Sequence, residues 1–472
     1  METQGERQSG LRLAVNTQTP LVRFRDAAAS LVGPVNLDGL SEGEDYKFTT
    51  GGVTRMLLPL LTSWLESGFA RRAEWVALAA GERAPDLDHQ GVHLSFVGHE
   101  EPTTRGYAQV KERLWSILNS YPGGPRPYGA KGLSEEAWAA FDAHQARSAE
   151  ALERAARRMG GLDLLYVHDF QQIGVAEAWR GPEVPKAFHL HTPYPSIVPP
   201  EWRDLFIARL ERYDAVIVST RRYAHNLRRD GLRRPIHVVR PFIDPSEHAR
   251  ARPEDVATFR ERYQVPERDL VILNVGRMDP MKGQDRLIRA MPCVLGVLPH
   301  ARLVLVGNGS FSSSSKGGLG LDKGARWRAH LEELAKRLGV SHRVTFTGHL
   351  EEGLLPAAYE ASSVFALPST REGFGLAAVE AWLHAKPIVV SDRTGVAELV
   401  ERDVNGAVCD CSEPEPLADC IVDILRDPER AAEMGAEGRL AAQEATLPVG
   451  RAALEGIFAP LAAKEVPHAR RA

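Results

Sequence analysis

Along the chain, short apolar runs rich in Val, Ile and Leu repeatedly precede longer stretches with a helical pattern. That rhythm predicts a parallel sheet covered by helices. In the first half the strands fall at residues 11–15, 75–78, 164–166, 186–190 and 215–218. In the second half they fall at 271–275, 302–306, 343–346, 364–367 and 387–390, and nearly every step reads strand, turn, helix.

Between the two series lies Arg240-Pro241-Phe242-Ile243-Asp244-Pro245, followed by a charged segment at 247–262. Two prolines so close oppose a helix and favour an extended crossover. The predicted architecture is therefore α/β, with two Rossmann-like domains facing across a cleft. The first spans residues 1–243 and the second 244–445. Ligands of such folds bind outside the carboxyl ends of the strands. A last segment, 446–472, carries Leu454, Ile457, Phe458 and Leu461 at helical spacing and ends in a short tail. Irregular loops are expected at 121–132, rich in Pro and Gly, and at 311–324, with four consecutive serines.

Composition narrows the class without naming the chemistry. A chain of 472 residues has room for two or three domains. The formal charge of −4 provides no global basic field, so neither nucleic acid nor an anionic membrane is an expected partner. The four cysteines are too sparse for a disulfide scaffold, and Cys409-Asp410-Cys411 lacks metal-site spacing, so buried or half-buried free thiols are expected. The polar first ten residues hold no signal-like apolar run, and no stretch has the length of a membrane span, which points to the cytoplasm.

The sharpest chemical signal is Leu367-Pro368-Ser369-Thr370-Arg371-Glu372-Gly373-Phe374-Gly375-Leu376-Ala377-Ala378-Val379-Glu380. A strand ends, a loop with two glycines follows, and a helix starts near Gly375. Helix N-termini leave N–H groups unpaired, and glycines let a phosphate reach them. Glu372 falls at the edge of that pocket. Glu380 is a charge within an apolar helix, suited to accept from vicinal hydroxyls. The plain alternative makes Glu372 a loop residue and Glu380 a surface charge. Upstream, Asn274-Val275-Gly276-Arg277-Met278-Asp279-Pro280-Met281-Lys282-Gly283 follows another strand. Arg277 can grip a diphosphate bidentately and Lys282 as a point charge.

Glu372-Gly373-Phe374-Gly375 with Glu380 resembles the paired-glutamate motif of retaining, nucleotide-sugar-dependent glycosyltransferases of the GT-B fold. The resemblance implies that Glu372 contacts the transferred sugar and Glu380 the ribose. It also implies that Arg277 and Lys282 bind the diphosphate, Gly373, Phe374, Gly375 and Leu376 line the donor loop, and the base packs near His349. It further implies a last helix crossing back to the first domain, and front-face displacement in which the departing diphosphate helps take the acceptor proton. Gly307-Asn308-Gly309 is a tight turn at the expected cleft, and residues 394–399 match the family's glycine turn and helix.

In the first half, Gly51-Gly52 precedes a helical pattern interrupted at Pro59, with Arg55 as an anion contact; a plain turn is the other reading. Tyr166-Val167-His168-Asp169 and Phe188-His189-Leu190-His191-Thr192-Pro193-Tyr194-Pro195 resemble stretches of trehalose-forming synthases. There the resemblance puts His191 beside the transferred sugar and Asp169, with His168, beside the reacting groups. His189 reads as structural, on the same face as His191 but deeper in the sheet.

The expected reaction is transfer of a hexosyl group, glucose, from a nucleoside diphosphate sugar to a small hydroxylated acceptor such as a sugar. No cofactor is obligatory and no metal-ligand cluster is read, although magnesium could accompany the diphosphate. A homo-oligomer is compatible with the sequence. The rival readings are a lipid-linked or polymeric acceptor, and a non-catalytic homologue that binds sugar nucleotide.

Overall fold

The structure is a computed structural model that describes residues 10–49, 51–79, 84–98, 103–120, 132–309, 321–351 and 353–463. It divides into two compact units, one ending at Val239 and taking back the chain from Gly450, the other Arg240–Val449. The loop at 121–131, most of that at 311–324, and the tail at 467–472 lie outside the described residues. Residues 321–324 do not end a loop; they open the helix Leu321–Arg337.

The first unit holds β1 (Leu11–Asn16), β2 (Val22–Phe24), β3 (Val35–Asn36), β4 (Tyr46–Phe48), β5 (Ala70–Leu78), β6 (Leu87–His89) and β7 (Val92–Val97). It continues with β8 (Leu164–His168), β9 (Lys186–Leu190), β10 (Ala215–Val218) and β11 (Ile236–Val238). Nine of these form one sheet in the order β11-β10-β9-β8-β1-β5-β7-β6-β3, and β2 with β4 forms a separate antiparallel ribbon. All neighbours in the large sheet run parallel except β6 and β7.

Every strand read from the sequence of this half is present. The missed ones are short or patterned: β7 interrupts its apolar residues with His93 and Ser95. Two long helices, Thr103–Leu118 and Glu135–Arg158, cover one face. The second is capped by Ser134, whose hydroxyl accepts from the Ala137 amide at 3.2 Å, and places Glu135 and Glu136 in its first turn and Arg157 and Arg158 in its last. Both ends thus complement the helix dipole. From the C-terminal helix Leu447–Ala462, Phe458 meets Trp64 and Tyr166, with ring centroids 5.8 and 4.8 Å apart.

The second unit is a six-stranded parallel sheet, β14-β13-β12-β15-β16-β17. Its strands are β12 (Leu270–Val275), β13 (Ala301–Val306), β14 (Val344–Gly348), β15 (Val364–Leu367), β16 (Ile388–Ser391) and β17 (Gly406–Cys409). Alternate residues enter two cores. Ile272, Leu303, Leu305, Val364 and Ala366 pack on one face, and Leu273, Val304, Val306, Phe365 and Leu367 on the other. A strand buried on both faces has no polar phase, which is why these runs are continuously apolar.

No described helix is long and apolar enough to cross a membrane. Cys409 and Cys411 are buried free thiols and Cys420 is half-buried, but Cys293 is exposed, contrary to the expectation of burial.

Gly307, after β13, has φ +124°, and a Cβ there would lie 2.0 Å from the Gly276 carbonyl oxygen. Backbone meets backbone, so nothing flexible can yield. Gly307→Ala is expected to cost roughly 2–4 kcal/mol. Gly296→Ala, in the helix Gln284–Val297 with open space around it, should be neutral or stabilising. Thermal unfolding of the two variants side by side checks this; equal shifts would refute it.

Candidate functional site

In the second sheet, β12 and β15 are neighbours whose onward connections diverge. β12 leads through the helix Gln284–Val297 to β13, and β15 through the helix Leu376–Leu383 to β16, on the other side. The carboxyl ends of such a strand pair form the crevice where open α/β sheets bind ligands. The Arg277 and Lys282 loop leaves β12 there, and the loop from Pro368 to Gly375 leaves β15.

The two loops are stitched together. Asp279 turns its loop by accepting from the Met281 amide at 2.9 Å, and the Met281 carbonyl then accepts from the Thr370 amide at 2.8 Å. Gly283 has φ +71°, and a Cβ there would stand 2.3 Å from the Pro368 carbonyl oxygen, so only glycine permits this approach. Buried Gln284 donates to the Arg277 carbonyl at 2.8 Å and accepts from Trp327 at 3.1 Å, fixing the backbone beside Arg277.

Across this seam the Lys282 ammonium forms an ion pair with Glu372, with both side chains about four-fifths buried. Ser369 lies 3.4 Å from the same carboxylate oxygen. Gly375, at φ +109°, caps the helix Leu376–Leu383; a Cβ there would meet Leu367 at 2.7 Å. Gly373 and Leu376 are half-buried, and Phe374 is buried, its carbonyl accepting from the Val396 amide at 2.8 Å.

Glu380 is no surface charge. It is 4% exposed, and its carboxylate accepts from the buried Tyr359 hydroxyl at 2.8 Å. His349 is exposed and follows β14 directly, two strands from β12. Residues 396–399 form only a 3-10 turn where a helix was expected. Tyr359, which orients Glu380, carries no signal in the sequence; only the fold brings it there.

The first sheet repeats the logic at β1 and β8. β1 leads by way of the β2–β4 ribbon to the helix Gly52–Glu66, while β8 leads to β9 on the other side. Gly51 caps that helix, its carbonyl accepting from Thr54 at 2.8 Å, and Arg55 is exposed one turn in. Pro59 is accommodated within the helix.

After β8, Asp169 adopts φ +65° and ψ 162°, a conformation that costs a non-glycine residue of order 1–3 kcal/mol. Its carboxylate is held by the Thr192 hydroxyl at 2.6 Å, the Thr192 amide at 3.3 Å and the Phe170 amide at 3.2 Å. Burial raises the Asp169 pKa and these hydrogen bonds oppose the rise.

Beside it three imidazoles gather. His168 and His191 share a hydrogen bond of 2.9 Å with ring planes 2° apart, and His189 stacks on His191 at a centroid distance of 4.0 Å. Tyr166 lies 2.6 Å from His189 Nδ1. His189, read from the sequence as structural, thus touches His191 directly. Burial pushes the His191 pKa down to about 3. Burial, reinforced by the neighbouring imidazoles, lowers those of His168 and His189 as well.

Among the described residues this is the one group of three or more His, Cys, Asp or Glu side chains placed to hold a metal ion, with ligand atoms within 4.8 Å of one another.

A histidine whose pKa is lower in the native than in the unfolded chain stabilises the fold above the ordinary value of 6.5 and loses that contribution as pH falls. The three should together make stability fall with pH below ~6.5, and His191 alone adds a slope of up to about 1.4 kcal/mol per pH unit toward 3. The melting temperature should therefore drop steeply from pH 7 to 4.5, and His189→Leu should flatten the drop. A slope indifferent to that substitution would contradict this account.

Comparison with known proteins bears on the fold and the family. The family model "Glycosyl transferases group 1" matches residues 255–441, and "Glycosyltransferase Family 4" matches 82–247. A GDP-mannose-dependent alpha-(1-6)-phosphatidylinositol monomannoside mannosyltransferase of Mycobacterium tuberculosis is 33% identical over 206 residues, 42% of this chain and 49% of that protein. The chain spans about half the length of the curated relatives it matches.

Among solved structures, trehalose 6-phosphate synthase from Burkholderia multivorans superposes with a TM-score of 0.72 at 18% identity, over 96% of this chain and 97% of that one. An Anabaena protein solved with UDP and glucose does so at 0.62 and 20% identity, over 95% and 100%. With two such sheets and two such matches, which between them take in the greater part of its length, the chain belongs to the glycosyltransferases of the GT-B fold.

Proposed function

We propose that this glycosyltransferase moves a glucosyl group from a nucleoside diphosphate sugar to a small hydroxylated acceptor, with retention at the anomeric carbon. The observation that carries the reading is the meeting of Lys282 and Glu372 at the β12–β15 switch point, beside Arg277 and the glycine-capped helix at Gly375. Arg277, Lys282 and the amides of the Gly373–Leu376 turn take the diphosphate, Glu372 the sugar hydroxyls, and Glu380, oriented by Tyr359, the ribose. The base lies toward His349. In the first unit, at the carboxyl end of its own sheet, His191 and Asp169 are assigned to the sugar and the reacting groups, and Gly51, Gly52 and Arg55 to the acceptor. The strain retained at Asp169 supports a working role, because a glycine there would relieve it.

In the reaction the bond between anomeric carbon and phosphate oxygen breaks, and its electron pair stays on the diphosphate. The acceptor oxygen bonds to the same face of the carbon, and its proton passes to the departing phosphate oxygen. Arg277, Lys282 and the helix amides stabilise the charge that grows on that leaving group. His191 stays neutral near pH 7, its pKa pushed to about 3 by burial, and so serves the sugar as a hydrogen-bonding group rather than as a cation. No metal is required for these steps, although magnesium could travel with the diphosphate.

A second reading has its own support. Several curated relatives are named for GDP-mannose and a phosphatidylinositol monomannoside, which favours a mannosyl donor and a lipid-linked acceptor, while others are named for D-inositol 3-phosphate, a small hydroxylated acceptor. Thermal stabilisation by UDP-glucose, ADP-glucose and GDP-mannose, followed by turnover with free sugars, sugar phosphates and a phosphatidylinositol monomannoside, decides between them. Stabilisation by GDP-mannose with turnover only on the lipid would replace the first reading with the second.

Within either reading, Glu372→Gln should lower kcat at least about 100-fold. Arg277→Ala should weaken nucleoside diphosphate binding about 10- to 100-fold. His191→Ala should slow transfer with donor affinity nearly intact. Wild-type turnover of the first and third variants, or unchanged calorimetry of the second, would remove those residues from the site.

A further inference from the structure

We infer that Glu372 also sets the preference of the site for intact donor over spent nucleoside diphosphate, by competing with the diphosphate for Lys282. The inference rests on the donor site proposed above. In the structure Lys282 and Glu372 are each other's counter-ions, with Ser369 against the same carboxylate oxygen. Both sit on loops held in place independently of that pair, by the bond from Thr370 to Met281 and by the close passage of Gly283 against Pro368. The ammonium therefore arrives at its place already carrying a carboxylate partner.

A diphosphate binding there must draw Lys282 away from Glu372. It leaves behind a carboxylate about four-fifths buried, next to an incoming dianion. Such a carboxylate is unfavourable until something donates to it. Sugar hydroxyls are donors that fit: with an intact nucleotide sugar, Glu372 exchanges the ammonium for hydroxyls and the exchange closes. With the bare diphosphate left after transfer no sugar hydroxyl takes the place of the ammonium, and Glu372 pulls Lys282 back. The same side chain thus holds the sugar before the reaction and helps expel the product after it.

The test inverts the usual effect of deleting a binding-site residue. Uridine, guanosine and adenosine diphosphates are titrated into the full-length protein by calorimetry, and the tightest is carried forward. Glu372→Gln is expected to bind that nucleoside diphosphate about three- to tenfold more tightly than wild type, the range of a partly screened ion pair. Glu372→Ala should do the same. In a Lys282→Ala background the Glu372→Gln change should have no such effect, because the contested ammonium is gone. In turnover assays Glu372→Gln should also show a lower inhibition constant for the diphosphate product.

Tighter binding in both Glu372 variants, lost with Lys282, supports the competition. Equal or weaker binding in both overturns it while leaving the donor site standing. A wild type that binds none of the three diphosphates overturns the donor site and this inference together. Thermal unfolding of each variant guards against a folding defect, and the two different replacements of Glu372 guard against an effect of either new side chain.

Discussion

One backbone hydrogen bond organises the loops at the carboxyl edge of the second sheet: the Thr370 amide donates to the Met281 carbonyl, joining the loop after β12 to the loop after β15. A loop carrying cations and a loop carrying a carboxylate and a helix N-terminus have no intrinsic reason to adopt one mutual position. Pinned here, and pressed so close that Gly283 tolerates no side chain, they hold Lys282, Glu372 and Gly375 in fixed relation. The strands beneath, apolar on both faces, supply the rigidity. Catalysis by placement and charge needs that stiffness more than it needs any single reactive group.

Much of this was legible in the residues. The continuous apolar runs of β12, β13 and β15 announced a parallel sheet because burial on two faces erases the polar phase. Glu372 and Gly375 stood out because their types and spacing are chemical rather than structural. What stayed hidden depends on pairing between distant segments. Tyr359 meets Glu380 only because two helices pack together, and no local pattern marks that meeting. The strands β6, β7 and β11 escaped because edge and mixed positions admit polar residues such as His93 and His237, which dilute the signal. Thr394–Leu399 looked helical but is too short to propagate beyond a 3-10 turn.

The histidines of the first unit show a different limit. Strand alternation put His189 on the same face as His191, and depth in the sheet suggested a plain core residue. The fold adds what alternation cannot: Tyr166 caps one side of the His189 ring, and the His191 ring stacks on its face. A group of neutral imidazoles so enclosed resists protonation together. An acid-sensitive fold and a constant charge at these rings are therefore expected together, from one arrangement.

Asp169 carries a last consequence. It is an aspartate in a backbone conformation that glycine alone adopts without penalty, so folding favours glycine here and the proposed chemistry favours the carboxylate. If the carboxylate acts beside the reacting groups, as proposed above, it is retained against that pressure. In a descendant released from its reaction, drift should run toward glycine at this position early, before the hydrophobic cores erode. The identity of one residue then reports whether a relative is still at work.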